Sequence, residues 1–203
     1  MIEKPAETEQ KITKILAERW SSRAYDSSLP VNNQQIIALC EAARWAPSCY
    51  GAQPWRFVIW NRYEDHVSWQ KVLDCLSPGN QDWAKNAPLL ILAASVQTFS
   101  HNDSVNRWAG YDSGAASLSL CLQATAMGLL SHQMGGFDTD KLKESFTLPT
   151  DIDMWAIIAI GHPAGLDSLN EAQLERELKV RERSPLATHF YSNNWGVAVK
   201  SGE

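Results

Sequence analysis

Positive charge is in short supply in this chain of 203 residues. It carries 18 Lys and Arg against 23 Asp and Glu, which gives a formal net charge of −5. A nucleic-acid-binding protein needs a basic face against the phosphates, so this balance argues against that class of function. It leaves room for a small, local basic pocket that binds a small anion.

Long apolar runs and paired cysteines are also lacking. The longest apolar run, residues 89–94, is far too short to span a bilayer, and residues 1–14 contain no apolar signal-peptide core. The four cysteines form no CxxC pair, and no histidine stands beside them at zinc-ligand spacing: Cys40, Cys49, Cys75 and Cys121. We therefore expect a cytoplasmic protein with reduced thiols and without a metal site.

The familiar catalytic motifs are absent as well. No GxGxxG follows a predicted strand, and the sequence holds no P-loop, HExxH, GxSxG or EF-hand loop. The five histidines are scattered and form no recognisable pair. Because no side chains are arranged for acid–base or nucleophilic work, any enzymatic chemistry would be carried by a bound cofactor.

Hydrophobic content of 44% and nine tryptophans are typical of a folded domain with a large core or an aromatic ligand site. We expect one domain over residues 1–203, with flexible ends at 1–8 and 197–203. Periodicity predicts helices at 9–19, 36–43, 67–76, 102–127, 138–146 and 171–178. Strands are predicted at 56–60, 89–94, 129–136 and 155–161, with a turn at 77–80. This order favours a layered α/β or α+β domain, and a doubly wound sheet is less favoured.

Two arginine pairs could bind an oxyanion. Arg19 and Arg23 are four residues apart, so at a helix end they would share one face with two serine hydroxyls between them. Arg181 and Arg183 would share one face of an extended segment. The alternative readings are a solvated helix terminus for the first pair and a solvated tail for the second.

Two loops could approach a ligand. Residues 46–55 combine two prolines, a glycine and small polar residues between a helix and a strand, as binding loops often do. Gly135 and Gly136 at a strand end permit a positive φ and a close approach of the backbone to a ligand. The alternatives are a structural turn with Trp55 as core filler and a plain turn.

Taken in order, these features resemble the FMN-dependent nitroreductase family over essentially the whole chain. The family motif RxSx[RK]x[FY] matches residues 19–25, and APSxxNxQPWxF matches residues 46–57 with Gly51 in the usual Asn position. Further matches are the start of the long helix at 111–116, a GL…GGFD strand at 128–138, GxP at 161–163 and a basic tail at 181–186.

The resemblance implies an α+β fold in which helices flank a central, mostly antiparallel sheet. It also implies a homodimer with FMN at the subunit interface, in which the long helix forms much of that interface. The C-terminal tail, with Phe190, Tyr191 and Trp195, would wrap around the partner as an exchanged segment.

The resemblance also implies roles for individual residues. Arg19, Ser21, Arg181 and Arg183 match positions that hold the FMN phosphate and ribityl chain, and the backbone of Trp20 would lie beside the cofactor. Arg23 would face the N1/O2 edge of the flavin, where a fixed cation stabilises the reduced ring. The loop that packs on the ring from the partner subunit would include Pro47, Ser48, Cys49, Gly51 and Gln53. The backbone of Gly135 and Gly136 would face flavin N5.

The implied activity is hydride transfer from NAD(P)H through flavin N5 to nitroaromatics, quinones or similar acceptors in a ping-pong cycle, without a catalytic side chain. Four aromatic residues are candidates for substrate contacts, with core packing as the competing interpretation: Tyr50, Phe99, Trp108 and Tyr111. Two other functions stay open. One is a flavin store or sensor with little turnover, and the other is a specialised relative such as an enal or aldehyde reductase or a dehalogenase.

Overall fold

The computed structural model describes residues 2–199 and is built around one antiparallel sheet. Its strands are β1 (Trp55–Asn61), β2 (Leu89–Val96), β3 (Leu130–Met134) and β4 (Ile152–Gly161), in the order β1-β2-β4-β3. All three pairings are antiparallel, with Ile91 of β2 opposite Ile59 of β1 and Ile158 of β4. The prediction of an α+β fold with a mostly antiparallel sheet is confirmed.

Helices cover both faces of this sheet. They are α1 (Lys14–Glu18), α2 (Asn33–Arg44), α3 (His66–Leu73), α4 (Pro78–Ala84), α5 (Ala109–Ala126), α6 (Thr139–Phe146) and α7 (Glu171–Leu178). Short 3₁₀ turns lie at Cys49–Gly51, Leu166–Ser168 and Leu186–Thr188. Within the described residues, no helix is long and apolar enough to cross a membrane.

Strand β2 separates two hydrophobic cores. Leu89 and Ile91 pack with α2 and α5 on one face, and Leu90 and Leu92 pack with α3, α4 and α6 on the other. All four side chains are fully buried. A strand that is buried on both faces reads as a continuous apolar run rather than an alternating one, as this segment does.

Two elements in the N-terminal half of the chain differ from their predictions. The helix predicted at 9–19 is reduced to α1, because residues 9–13 are exposed and a short helix without packing is marginal in water. The turn predicted at 77–80 instead opens α4. Pro78 takes the first helical position, which suits its missing N–H, and Trp83 anchors the helix in the core.

The long helix predicted from residue 102 begins at Ala109. The side chain of Asn102 accepts hydrogen bonds from the N–H and hydroxyl of Ser104, and Asp103 has φ of 55°. A hairpin-like bridge joins Thr98 to Val105 around this turn. Asn and Asp favour such local turns over helix, which explains the late start.

The chain ends are tied to the body where they are described. Ala6 N donates to Ala17 O at 2.9 Å, which lays the N-terminal arm along α1. Tyr191 bridges Ala198 in a small terminal hairpin. Of the ends predicted to be flexible, position 1 and positions 200–203 lie outside the described residues.

Candidate functional site

The segment from Arg19 to Arg23 is not helical. Helix α1 ends at Glu18, and Arg19 has extended backbone with φ of −62° and ψ of 120°. The expectation that Arg19 and Arg23 share one helix face is therefore wrong, because the five-residue α1 stops before either of them. The segment instead runs toward Tyr25, which bridges Pro163 just after β4.

Ser22 fixes this segment from two sides. Its buried hydroxyl donates to the carboxylate of Glu177 on α7, and the N–H of Arg23 donates to the same carboxylate at 3.1 Å. The carbonyl of Ser22 accepts from Nδ1 of His132 on β3 at 3.1 Å. Burial lowers the pKa of His132 to about 4, so the ring is neutral and its Nδ1 carries the proton.

The tail brings two more arginines to the same place. The guanidinium of Arg181 donates to the carbonyl oxygens of Lys4, Ala17 and Arg19, the last two at 2.9 and 3.2 Å. Its pKa is lowered by burial and then by the positive charges of Arg19 and Arg183. We call Arg19, Arg23, Arg181 and Arg183 the arginine cluster.

The arginines of this cluster differ in how many hydrogen bonds they already donate within the chain. Arg181 donates to three backbone carbonyls, whereas Arg183 donates to one, the carbonyl of Glu182. Arg19 donates no side-chain hydrogen bond to a described residue. Arg19 and Arg183 therefore keep donors for an outside acceptor. Ser21 and Trp20 stand half-buried beside them, with the Lys4 ammonium 4.6 Å from the centroid of the Trp20 ring.

Arg23 carries a buried donor without an acceptor. Its Nε is shielded from solvent, and no described residue accepts a hydrogen bond from it. Burial lowers the pKa of Arg23, and the Trp83 ring lies 5.9 Å from its guanidinium carbon. Because buried donors are nearly always paired, this nitrogen indicates a missing acceptor such as a ligand oxygen or ring nitrogen.

The glycine turn after β3 is held by α4. The carbonyl of Gly136 accepts from Ser77 N at 2.9 Å and from Asn80 Nδ2 at 3.2 Å. Neither Gly135 nor Gly136 has a positive φ, so that part of the expectation is wrong. A Cβ at Gly136 would lie 2.9 Å from Ser77 Oγ and crowd it, whereas a Cβ at Gly135 would meet no atom within 4 Å.

Residues 46–55 form a loop with an unusual backbone. Three of the four residues from 50 to 53 have a positive φ: Tyr50, Gly51 and Gln53, with φ of 53°, 65° and 46°. Side chains of Tyr and Gln rarely adopt this region, so the surroundings must hold the loop in place. Ser48 Oγ accepts from Gln53 N at 3.1 Å and closes the loop on itself, beside the exposed Pro47.

One buried carboxylate anchors the loop to the long helix. Asp112, in the first turn of α5, is only 4% exposed and accepts from the N–H of Cys49 at 2.9 Å. Glu18 and Trp20, the chain neighbours of Arg19, line one cavity with Thr125, near the C-terminal end of α5, and with Gly128 just beyond it. The thirteen residues from Asp112 to Thr125 correspond to about 20 Å of helix, so the loop and Arg19 lie toward opposite ends of α5.

Three of the four aromatic candidates for substrate contact come together. The buried ring of Phe99 packs edge-on against Tyr50 at 6.1 Å and tilted against Trp108 at 6.4 Å between centroids. Tyr50 is 87% exposed and Trp108 is 40% exposed, so the group presents aromatic surface to solvent. Tyr111 is 81% exposed and pairs with no ring among residues 2–199.

Sequence reasoning missed Glu177, Asp112 and His132 as supports of the site. In the sequence, Glu177 is one of several charged residues in a polar helix, and its role becomes visible only because it is the buried residue of α7 in the fold. Asp112 stands in the motif at 111–116, which offered a signal. In the part of the chain that the structure describes, no group of His, Cys, Asp or Glu could hold a metal ion.

Comparisons with known proteins agree on one family. Residues 16–162 match the Nitroreductase family. A solved structure described as an oxidoreductase containing FMN superposes with a TM-score of 0.87 at 31% identity, covering 94% of this chain and 96% of the other. Protein DrgA of Synechocystis is 30% identical over 173 residues, which cover 71% of this chain and 80% of that protein. A Ralstonia nicotianae protein named "Putative NADH dehydrogenase/NAD(P)H nitroreductase" is 27% identical over 135 residues, covering 58% and 68%.

Proposed function

The chain belongs to the nitroreductase family, and from that premise we propose that it is an FMN-dependent oxidoreductase. The proposed reaction moves a hydride from NAD(P)H to nitroaromatics, quinones or similar small acceptors. FMN is named in the description of the structural relative, and NADH and NAD(P)H are named in that of the Ralstonia relative. The observation that carries the proposal is the buried Arg23 Nε without an acceptor, set inside the arginine cluster.

The residues present fit FMN. A phosphate carries about two negative charges, and Arg19 and Arg183 offer guanidinium donors that match its oxygens. The hydroxyl of Ser21 stands in the same segment. Arg23 would complete its hydrogen bonding on the ring edge of the flavin, where a fixed cation favours negative charge. Arg181 would act by holding the backbone carbonyls of the segment rather than by direct contact.

When bound, FMN supplies the acceptance and donation of hydride. The chain's own residues then bind the cofactor and orient it. The backbone at Gly135 and Gly136 would lie against the reactive part of the ring, with the carbonyl of Gly136 fixed by Ser77 and Asn80. Because the described site holds no paired acid and base, positioning supplies the protein's contribution.

The proposed working unit is a homodimer. Within one chain the loop 46–55 lies near the opposite end of α5 from the arginine cluster, so it would serve the partner's cofactor. Exposed apolar residues of the tail support a contact with a second copy: Phe190 is 56% exposed and Trp195 is 92% exposed. Large aromatic side chains that are exposed in one chain and become buried on association are typical interface anchors.

A spectrum of the purified protein tests this function. We expect a yellow protein that releases FMN on denaturation and is bleached by NADH or NADPH in the absence of oxygen. Addition of a quinone or nitroaromatic should restore the oxidised spectrum with repeated turnover. A protein that takes up no FMN would overturn the proposal, and a flavin that stays oxidised with both donors would favour a store or sensor. Sedimentation should give twice the chain mass of 22.7 kDa.

A further inference from the structure

Glu177 is a buried carboxylate at the back of the arginine cluster. It is 1% exposed, the one buried residue of α7, although helix α7 is otherwise polar and solvated. A buried charge is costly unless it is hydrogen-bonded or paired. Among the described residues no Lys or Arg side-chain nitrogen lies within 4.0 Å of its carboxylate oxygens, so hydrogen bonds must offset most of that cost.

Those hydrogen bonds all converge on two residues of the cofactor segment. One carboxylate oxygen accepts from the Ser22 hydroxyl, and both oxygens lie within 3.3 Å of the Arg23 N–H. The Ser22 hydroxyl in turn accepts from the N–H of Ala24 at 3.2 Å. Glu177 thus determines the backbone path between the residues on either side of Ser22.

The charge of Glu177 acts on the cations as well. Burial lowers the pKa of Arg23 and of Lys4, and the negative charge of Glu177 opposes this lowering. The ammonium of Lys4 also donates to the carbonyls of Glu177 and Lys179 at the C-terminal end of α7. The carboxylate therefore reduces the repulsion that would separate these cations before an anionic ligand arrives.

We propose that Glu177 is a positioning residue for the cofactor. It holds the backbone at Ser22 and Arg23 so that the neighbouring arginine and serine side chains meet FMN in a fixed arrangement. The inference rests on the proposed function, since it takes FMN as the ligand. A well-packed apolar residue would stabilise a helix of this kind at lower cost, so the retained charge is better explained by its effect on binding.

The test measures release of FMN from the holoprotein on serial dilution, followed by the rise in flavin fluorescence. Glu177→Gln keeps the shape but removes the charge and one acceptor, and we expect the dissociation constant to rise about tenfold. Glu175→Gln is the matched control, because Glu175 is exposed on the same helix, and it should stay within about twofold of wild type. The control Glu175→Gln should also keep the wild-type kcat and the wild-type KM for NAD(P)H.

Ser22→Ala removes only the hydroxyl and keeps the test decisive if Glu177→Gln does not fold. We expect about a threefold rise in the dissociation constant for Ser22→Ala, and no further rise when it is added to Glu177→Gln. A Glu177→Gln protein that melts at lower temperature but retains FMN as wild type does would overturn the inference and leave the proposed function intact. A wild-type protein that holds no FMN would instead overturn the function.

Discussion

The two ends of α5 are built in opposite ways. At the arginine cluster, the segment 19–23 is fixed by partners from three elements: the buried Glu177 of α7, and the half-buried His132 of β3 and Arg181 of the tail. At the other end, residues 47–53 of the loop are exposed or half-buried, and a hydrogen bond from Cys49 N to the buried Asp112 joins the loop to α5. Its strained φ angles are the kind of backbone that persists only when held from outside.

The difference suggests that the two regions serve different functions. A tightly held cofactor requires donors that stay in place without the ligand, which the buried hydrogen bonds provide. An acceptor site that admits flat molecules of several shapes needs exposed aromatic surface more than fixed polar partners. Changes at the arginine cluster should therefore alter cofactor affinity, and changes to the exposed aromatic side chains beside the loop should alter the KM for the acceptor.

The largest effect is expected from removal of Arg19 and Arg183, the two arginines that keep donors for an outside acceptor. In Arg19→Ala combined with Arg183→Ala, the FMN dissociation constant should rise about a hundredfold, because each charge-assisted bond is worth about 1.5–3 kcal/mol. Fluorescence titration measures this. The charge-matched control is Lys71→Ala with Lys85→Ala, two exposed residues, which should bind FMN as wild type does. Normal FMN retention in the arginine double variant would refute the phosphate site.

His132 makes the same region sensitive to pH. Its folded pKa of about 4 lies below the ordinary 6.5, so the unfolded chain binds more protons between these values and stability falls as pH falls through this window. From pH 7 to pH 5 we expect a loss of about 2 kcal/mol in the free energy of unfolding from this group. Urea unfolding at both pH values measures it.

His132→Gln separates this effect from other titrations, since the amide can donate to the Ser22 carbonyl but does not titrate. Its loss of stability between pH 7 and pH 5 should be about 2 kcal/mol smaller than that of wild type. His66→Gln is the control at an exposed histidine and should lose as much stability between pH 7 and pH 5 as wild type does. An equal loss of stability in all three proteins would show that His132 is not a buried neutral ring.

The elements that were predicted correctly are those with a strong local signal. The apolar run of β2 and the periodic helices α6 and α7 have such a signal, and α7 matches its predicted range of 171–178. In the structure, the side chains of Asp138 and Asn170 cap these two helices. The prediction of helix from Asn102 was wrong because a turn stabilised by the Asn102 side chain competes with helix there. Helix α4 was missed because the sequence Ser-Pro-Gly-Asn is equally typical of a turn.

The candidate site shows the same limit. The arginines and the loop stand out by residue type and order, so they could be named before the fold was known. Glu177 could not, because its burial depends on how α7 docks against residues 22–23, which are more than 150 positions away. Local periodicity carries no information about such long-range polar contacts.

The smallest effect is expected at Tyr50, and it tests the other side of the comparison. Removing its ring in Tyr50→Ala should raise the KM for an aromatic acceptor about fivefold, since an exposed aromatic contact is worth about 1 kcal/mol. The FMN dissociation constant should stay within about twofold of wild type. Alanine has a Cβ like tyrosine, so the backbone strain at φ of 53° is retained and the ring alone is tested. Tyr50→Phe should keep the wild-type KM. If Tyr50→Ala instead weakened FMN binding as strongly as acceptor binding, the Tyr50 ring would belong to the cofactor site, and the proposed difference between the two regions would be wrong.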